Sequence, residues 1–465
     1  MLNYYKNQHA LYESAIAKDS DVFSNNYIEK WLAERRNAIK FNVNIIRLHE
    51  LDKWKVSKAT GNFHHDSGGF FSISGIEVES DQGQVKKWSQ PIIDQREVGL
   101  LGVLCKSING TIHFLMQAKH EPGNINQVQL SPTVQATMSN INQKHKGKKP
   151  PYSSYFQNIN KREILIDQLQ SEQGNRFYKK RNRNIIIKLN EDIDLIDGFI
   201  WMTYGQIKNL LKVDNLINMD TRSVFSCINF FGSELSNNLN AIKSSSLFTR
   251  SFTDEPNSSN LFNETLSWIS ELKSKSLFST RLINLNSLTD WIYDGDVIKH
   301  KNSKYFTIVG VRSSIEGREI HQWDQPMYKP EQDGVLGLIV KPIDGILNIL
   351  IQAKTEAGNM DLLELAPTVQ TLTGSYKEDI EVPFLWDILN APKEKLISSS
   401  KQSEEGGRFF NESNYNYIVL EDQNYNPILP KNYKWIPLNQ ILYLLKFNNY
   451  LNMSARSLIS LMPID

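Results

Sequence analysis

Three guanidinium groups, Arg176, Arg181 and Arg183, lie in or just after the stretch Ser171-Glu-Gln-Gly-Asn-Arg-Phe177. Arg176 with Arg181 or Arg183 offers the planar fork of donors that clamps a diphosphate, although an incidental surface arginine reads the same way. Upstream, Gln117-Ala-Lys-His-Glu-Pro-Gly-Asn124 puts Gln117 and Lys119 two residues apart. On a strand they share a face with Leu115, while Ile112, Phe114, Met116 and Ala118 take the other. The strand then delivers Glu121 and Asn124 into a loop. In Ser131-Pro-Thr-Val-Gln135, Pro132 cannot donate to a ladder and marks an edge strand or bend beside this polar end. Gln135 carries donors and acceptors that suit a sugar hydroxyl or a pyrimidine edge, and equally suit buried backbone. Read as a site, these residue types suit a diphosphate with a sugar hydroxyl or a pyrimidine edge; read without one, they suit a half-exposed strand and a solvated loop.

Each feature occurs twice. Gln352-Ala-Lys-Thr-Glu-Ala-Gly-Asn359 repeats the first motif, with Gln352, Lys354 and Asn359 in register, and Ala366-Pro-Thr-Val-Gln370 repeats the second. Trp31/Trp268, Trp54/Trp291, Trp88/Trp323, Gly99/Gly334, Arg176/Arg408, Trp201/Trp435 and Arg222/Arg456 extend the series in unbroken order. Self-similarity over a domain-sized unit is the mark of a tandem duplication. We expect one module over residues 1–231, a Ser- and Asn-rich linker over 232–259, and a second module over 260–465, each self-contained. The copies differ after the shared arginine. Arg408 is followed by Asn411-Glu-Ser-Asn-Tyr-Asn416 instead of the basic run Lys179-Lys-Arg-Asn-Arg183, which predicts two unequal sites.

The elements that must hold these residues follow from periodicity. Helical spacing covers 26–40, strand patterns cover 70–78, 98–107 and 111–119, and Asn109-Gly110 reads as a hairpin turn. Asp344-Gly345 sits at the corresponding turn between 335–341 and 346–354. A helix near 162–170, a strand over 183–189, a helix over 203–212 and a short helix around Thr221 complete the unit. Clustered strands without steady βαβ alternation predict an α+β fold.

The bulk properties exclude several classes. The 465 residues carry 52 Lys+Arg against 51 Asp+Glu, a net charge of +1, with no basic excess of the kind nucleic-acid binders show. The cluster Lys144-His-Lys-Gly-Lys-Lys149 reads as a solvated loop or an anion site. Cys105 and Cys227 lie in apolar segments and read as reduced core thiols. Neither a signal-peptide order nor an apolar run long enough to span a membrane is present, so a cytoplasmic protein is expected. No P-loop, GxSxG, HExxH or dinucleotide fingerprint occurs, and the His residues form no metal-ligand pattern.

Trp88-Ser-Gln-Pro91, Gln95-Arg-Glu-Val-Gly-Leu-Leu-Gly102, the Gln117 motif, Leu130-Ser-Pro-Thr-Val-Gln-Ala-Thr137, Ser171-Glu-Gln-Gly174 and Asn218-Met-Asp-Thr-Arg222 together resemble the nucleoside-diphosphate-hexose 2,3-dehydratases. The resemblance covers nearly the whole chain. It implies a homodimer, two modules of Nudix-hydrolase-like fold, and two nucleotide pockets per subunit of which one is catalytic. It implies dTDP-4-keto-6-deoxyglucose as substrate and no redox cofactor or metal. The C4 ketone acidifies the C3 hydrogen, and the C2 hydroxyl lies β to that ketone, so the protein must supply a base, an enolate-stabilising cation and an acid. On this implication Glu121, with Glu172 behind it, is the base; Lys119 or Arg176 stabilises the oxyanion; Tyr155 is the acid. Trp88 would stack the nucleobase, and Gln117, Asn124, Gln135, Gln173, Arg176, Arg181 and Arg183 would bind substrate. Trp323, Gln352, Lys354, Asn359, Gln370 and Arg408 would line an auxiliary site. The fuller polar set places catalysis in the first copy. A non-catalytic sugar-nucleotide sensor and a Mg²⁺-dependent hydrolase are the competing readings, the latter disfavoured because neither copy has the Glu-rich cluster that Nudix hydrolysis uses.

Overall fold

The computed structural model describes residues 2–82, 85–142, 148–157, 159, 163–231, 247–254, 261–316, 322–373 and 381–464. Residues 143–147, most of the Lys144–Lys149 cluster, lie outside them.

Each repeat builds one seven-stranded mixed sheet. In the first, the order is Glu163–Ser171, Arg181–Leu189, Gly99–Ile108, Thr111–His120, Phe199–Thr203, with Val128–Ser131 and Val134–Thr137 pairing onto the two central strands. Only Arg181–Leu189 and Gly99–Ile108 run parallel. The second repeat copies this with Leu396–Ser403, Ser413–Leu420, Gly334–Ile343, Ile346–Lys354 and Tyr433–Pro437. The α+β class and the two-part repeat are both present. At the hairpin, Asn109 and Gly110 take φ of 51° and 86°, the doubly positive geometry a tight two-residue turn demands.

Helices follow their local signals. Ser24 caps Asn25–Ala38 by accepting from the Tyr27 N–H, and Thr203 with Gln206 forms a capping box on Tyr204–Leu210. The expected helix near 162–170 is instead the strand Glu163–Ser171, which pairs along its length with Arg181–Leu189. Its sequence, Glu-Ile-Leu-Ile-Asp-Gln-Leu-Gln-Ser, has β-branched residues two apart, and tertiary pairing decides an ambiguous pattern.

The copies are not self-contained. Each has a second, five-stranded sheet, and each of these takes one strand from the other copy. Phe41–Ile46 pairs antiparallel with Phe306–Ile315, and Phe278–Ile283 pairs antiparallel with Ser72–Ser80. One continuous apolar core runs through both repeats, from Leu101, Phe114 and Ile200 to Leu338, Ile349 and Ile436. Between the expected modules, Leu247–Thr253 forms a helix with Thr249, Ser251, Phe252 and Thr253 buried, and the Ser251 hydroxyl accepts from the Leu347 N–H at 2.8 Å. At the centre, helices Met219–Ser226 and Met453–Ser460 pack together. Their fully buried arginines reach across: Arg222 donates to Ser403 O and to Ser457 Oγ, and Arg456 donates to Ser171 O and to Ser223 Oγ. No helix among the described residues is long and apolar enough to cross a membrane.

Candidate active site

The two arginines act on the loops that begin at Ser171 and Ser403. Each loop leaves its own sheet and enters the other repeat, where a glycine lets two backbones meet. Gly123 N donates to Gly406 O at 2.8 Å, and Asn411 N donates back to Gly123 O at 3.0 Å. Gly358 N donates to Gly174 O at 2.6 Å, and Lys179 N to Gly358 O at 2.8 Å. A Cβ on Gly123 would fall on the Phe409 carbonyl, and one on Gly358 on the Phe177 carbonyl. The duplicated Gly-Asn pairs are therefore packing residues as well as loop residues. Asn124 Nδ2 donates to Lys119 O and Gln127 O, and Asn359 repeats the first of these bonds to Lys354 O, bracing the turn.

Two clefts result, each composite. The first has a volume of about 170 Å³ and is lined by Lys119, Glu121, Gln135, Glu172, Lys180, Asn182 and Asp220 of the first repeat, with Glu405 and Arg408 of the second. The second has a volume of about 260 Å³ and is lined by Lys354, Glu356, Gln370, Glu404, Glu412, Asn414 and Ser454, with Gln173 and Arg176 from the first repeat. Sequence proximity thus misled at one point. Arg176 and Gln173, expected beside Glu121, stand in the second cleft, and Arg408, expected in the auxiliary site, stands in the first.

Within the first cleft Glu121 is fixed on one oxygen and open on the other. Its Oε1 lies 3.1 Å from Lys119 Nζ and accepts from Gln135 Nε2 at 3.1 Å, while Oε2 is buried without a partner. Gln135 is itself held by Asn218 Nδ2 at 2.8 Å. Gln370 repeats both bonds, donating to Glu356 Oε1 at 2.8 Å and accepting from Asn452 Nδ2 at 2.9 Å. Glu172 accepts from Asn182, and its carboxyl is raised above the ordinary range by burial, against the pull of Lys180 and Arg456. Asp220, on the first turn of Met219–Ser226, is pushed well above it by burial and by Glu172, Glu405 and Glu121 nearby. Burial lowers Lys180 and Arg408; the Lys180 ammonium donates to Glu97 O at 2.6 Å, and the Arg408 guanidinium lies 4.3 Å over the Phe71 ring and donates to Gln95 Oε1. In the second cleft Arg176 lies over Phe306 and 3.6 Å from Glu412, Gln173 donates to Glu404, and burial with Glu412 raises Glu404 to about 7. Burial lowers Lys354, whose ammonium donates to Gln370 O at 3.1 Å.

Other expected residues stand away from the clefts. Arg183 is paired with Asp167 on the outer face of the sheet, and Arg181, two residues before it, shares that face, while Asn182 between them points inward. Trp88 donates to Gln90 and packs near Ile76, Val78 and Ala357; Trp323 stacks on Phe41 at 6.1 Å. Gln352 Nε2 donates to Pro367 O, which ties that side chain to the strand junction, and the Gln117 backbone carbonyl accepts from Ser131 Oγ. Tyr155 belongs to the 3-10 turn Ser153–Phe156, beside Tyr152, and is not on the wall of either cleft. Asp220, Glu405, Lys180 and Asn182 escaped the sequence reading. The pairs Asp220/Ser454 and Gln173/Glu405 were visible as differences between the copies, but not the crossing that brings Glu405 to Glu121.

Among the described residues no group of three or more His, Cys, Asp or Glu is arranged to hold a metal ion. The clefts place carboxyls raised by burial beside Lys and Arg side chains, an arrangement suited to proton transfer next to a developing anion.

The chain matches the NDP-hexose 2,3-dehydratase family twice, over residues 25–228 and 262–462. It is 39% identical over 453 residues to a dTDP-4-dehydro-6-deoxy-alpha-D-glucopyranose 2,3-dehydratase of Saccharopolyspora spinosa, covering 96% of this chain and 93% of that protein. Proteins bearing the same description from Amycolatopsis orientalis and Streptomyces violaceoruber are each 36% identical, covering 96% and 92% of this chain and 92% and 95% of their own lengths.

Proposed function

This chain belongs to the NDP-hexose 2,3-dehydratase family, and from that membership we propose that it removes water from dTDP-4-keto-6-deoxy-D-glucose to give the dTDP-3,4-diketo-2,6-dideoxy sugar. The observation that carries the reading is the Lys119–Glu121–Gln135 cluster, which presents a carboxylate with one buried, unpartnered oxygen to a cleft. Glu121 takes the C3 proton. The electron pair moves into the C4 carbonyl, whose oxygen Lys119 or Arg408 stabilises as an enolate. Collapse of the enolate forms the C2–C3 double bond, the C2 hydroxyl leaves as water once protonated, and the resulting 3-enol tautomerises to the ketone.

We place this reaction in the first cleft and binding of a nucleotide without turnover in the second. Glu172 supports the charge balance of the first, and Gln173 and Arg176 serve the second. We further read each large sheet with its packed helices as a Nudix-like module, supported by the mixed sheet with a single parallel pair. The homodimer and the cytoplasmic location are carried by the resemblance and the sequence. Incubation with the 4-keto sugar nucleotide in EDTA, followed by mass spectrometry, tests the activity: loss of one water supports it, and no mass change, or release of dTMP, overturns it.

A further inference from the structure

The two clefts share a frame, and the frame does not explain why only one should react. Glu121, Glu172, Lys119 and Gln135 have the counterparts Glu356, Glu404, Lys354 and Gln370, and Arg408 has Arg176. The titratable groups that differ are three. Asp220 corresponds to Ser454, Lys180 to Glu412, and Glu405 to Gln173. Of these, the Lys180 ammonium is committed to Glu97 O at 2.6 Å, which leaves Asp220 and Glu405 as the acidic groups present in one cleft and absent from the other. Asp220 is buried on the helix, 3% exposed, whereas Glu405 is half-buried at the cleft wall on the loop that also carries Arg408. Glu405 Oε1 accepts from the Gly407 N–H at 3.0 Å, and Oε2 is left without a partner. One oxygen is positioned by backbone and the other is unclaimed.

We propose that Glu405, delivered into the first cleft by the second repeat, is the acid that protonates the departing C2 hydroxyl. This rests on the dehydratase reading given above. The step balances: Glu121 gains the proton from C3, the C2–O bond breaks with its electron pair going to oxygen, and Glu405 gives that oxygen its proton to complete water. In the tautomerisation the enol O–H proton returns to Glu405, and C2 is protonated by the group that received the C3 proton. The catalytic centre is then built from both copies, and Gln173, which holds the same place in the second cleft, has no acidic proton to give. Tyr155, away from the cleft, has no part in it.

Glu405→Gln separates the acid from the base. With the 4-keto sugar nucleotide in D₂O, the variant is expected to lose water about 100-fold more slowly than the wild type, as removal of a general acid does. It should still exchange deuterium into C3 of recovered substrate and bind dTDP. Glu405→Asp, which keeps a proton on a shorter arm, should recover part of the rate. Elimination at the wild-type rate in Glu405→Gln would overturn the role. So would joint loss of C3 exchange and elimination with dTDP binding retained, which would put Glu405 on the C3 side, and so would an Asp variant without exchange or elimination. A wild-type enzyme that neither exchanges C3 nor loses water would overturn the dehydratase reading itself, and the role with it.

Discussion

Glu121 and Glu356 occupy equivalent positions and each accepts from the glutamine of its own repeat, Gln135 or Gln370, so substituting each in turn asks which cleft reacts. Glu121→Gln is expected to lower kcat for water loss by about 100-fold or more, the usual contribution of a positioned base, while Glu356→Gln acts mainly on nucleotide binding. Steady-state kinetics of both variants check this, and the reverse pattern would move catalysis to the second cleft. Proton inventory gives a second prediction. Burial first, then the neighbouring Glu121, pushes Glu405 up to about 7 against the pull of Arg408, with Glu172 raising it further and Lys119 lowering it; Asp220 and Lys180 line the same cleft. A raised carboxyl holds its proton below its pKa and loses it above. As an acid, Glu405 is therefore competent on the acid side of about 7, and kcat should fall as pH rises through that value. A kcat–pH profile without that alkaline limb, or one that Glu405→Gln leaves unaltered, would contradict it.

At the scale of elements, the loops matter more than the strands that launch them. Residues 172–177 and 404–409 each serve both clefts, and glycine at 123 and 358 is what allows them to lie against the opposite repeat. Gly123→Ala places a methyl group on the Phe409 carbonyl, a backbone atom that cannot move aside cheaply. The expected cost is about 3 kcal/mol, read as a lower midpoint in denaturant, with water loss falling further than stability because Glu405 and Arg408 shift. An unchanged midpoint and rate would contradict the loop contact. The sequence made the hairpins, caps and repeat order readable, because Asn109-Gly110, Ser24 and the Thr203/Gln206 pair act locally. It made the polar face of Thr111–His120 readable for the same reason. The segment Glu163–Ser171 carries a short apolar pattern that fits a helix as well as a strand, and only its pairing with Arg181–Leu189 decides between them. The exchange of Arg176 and Arg408 between clefts had no local signal, since a loop's destination depends on how two copies pack. Asp220 and Glu405 were within reach through the differences between copies.

At the scale of the whole molecule, duplication has produced one interlocked body. Residues 1–231 alone would leave Ser72–Ser80 without its outer partner and Phe41–Ile46 without a sheet, and would lack Glu405 and Arg408. Each half expressed alone is expected to aggregate or unfold without cooperativity, and co-expression of the halves to restore water loss; a soluble, cooperatively unfolding single half would contradict the exchange. The central claim is that this body performs a metal-independent elimination on a 4-keto sugar nucleotide. Its most direct test is the mass of dTDP-4-keto-6-deoxyglucose after incubation with the full chain in EDTA. The account predicts a product lighter by one water; unchanged substrate, or dTMP released, would contradict it.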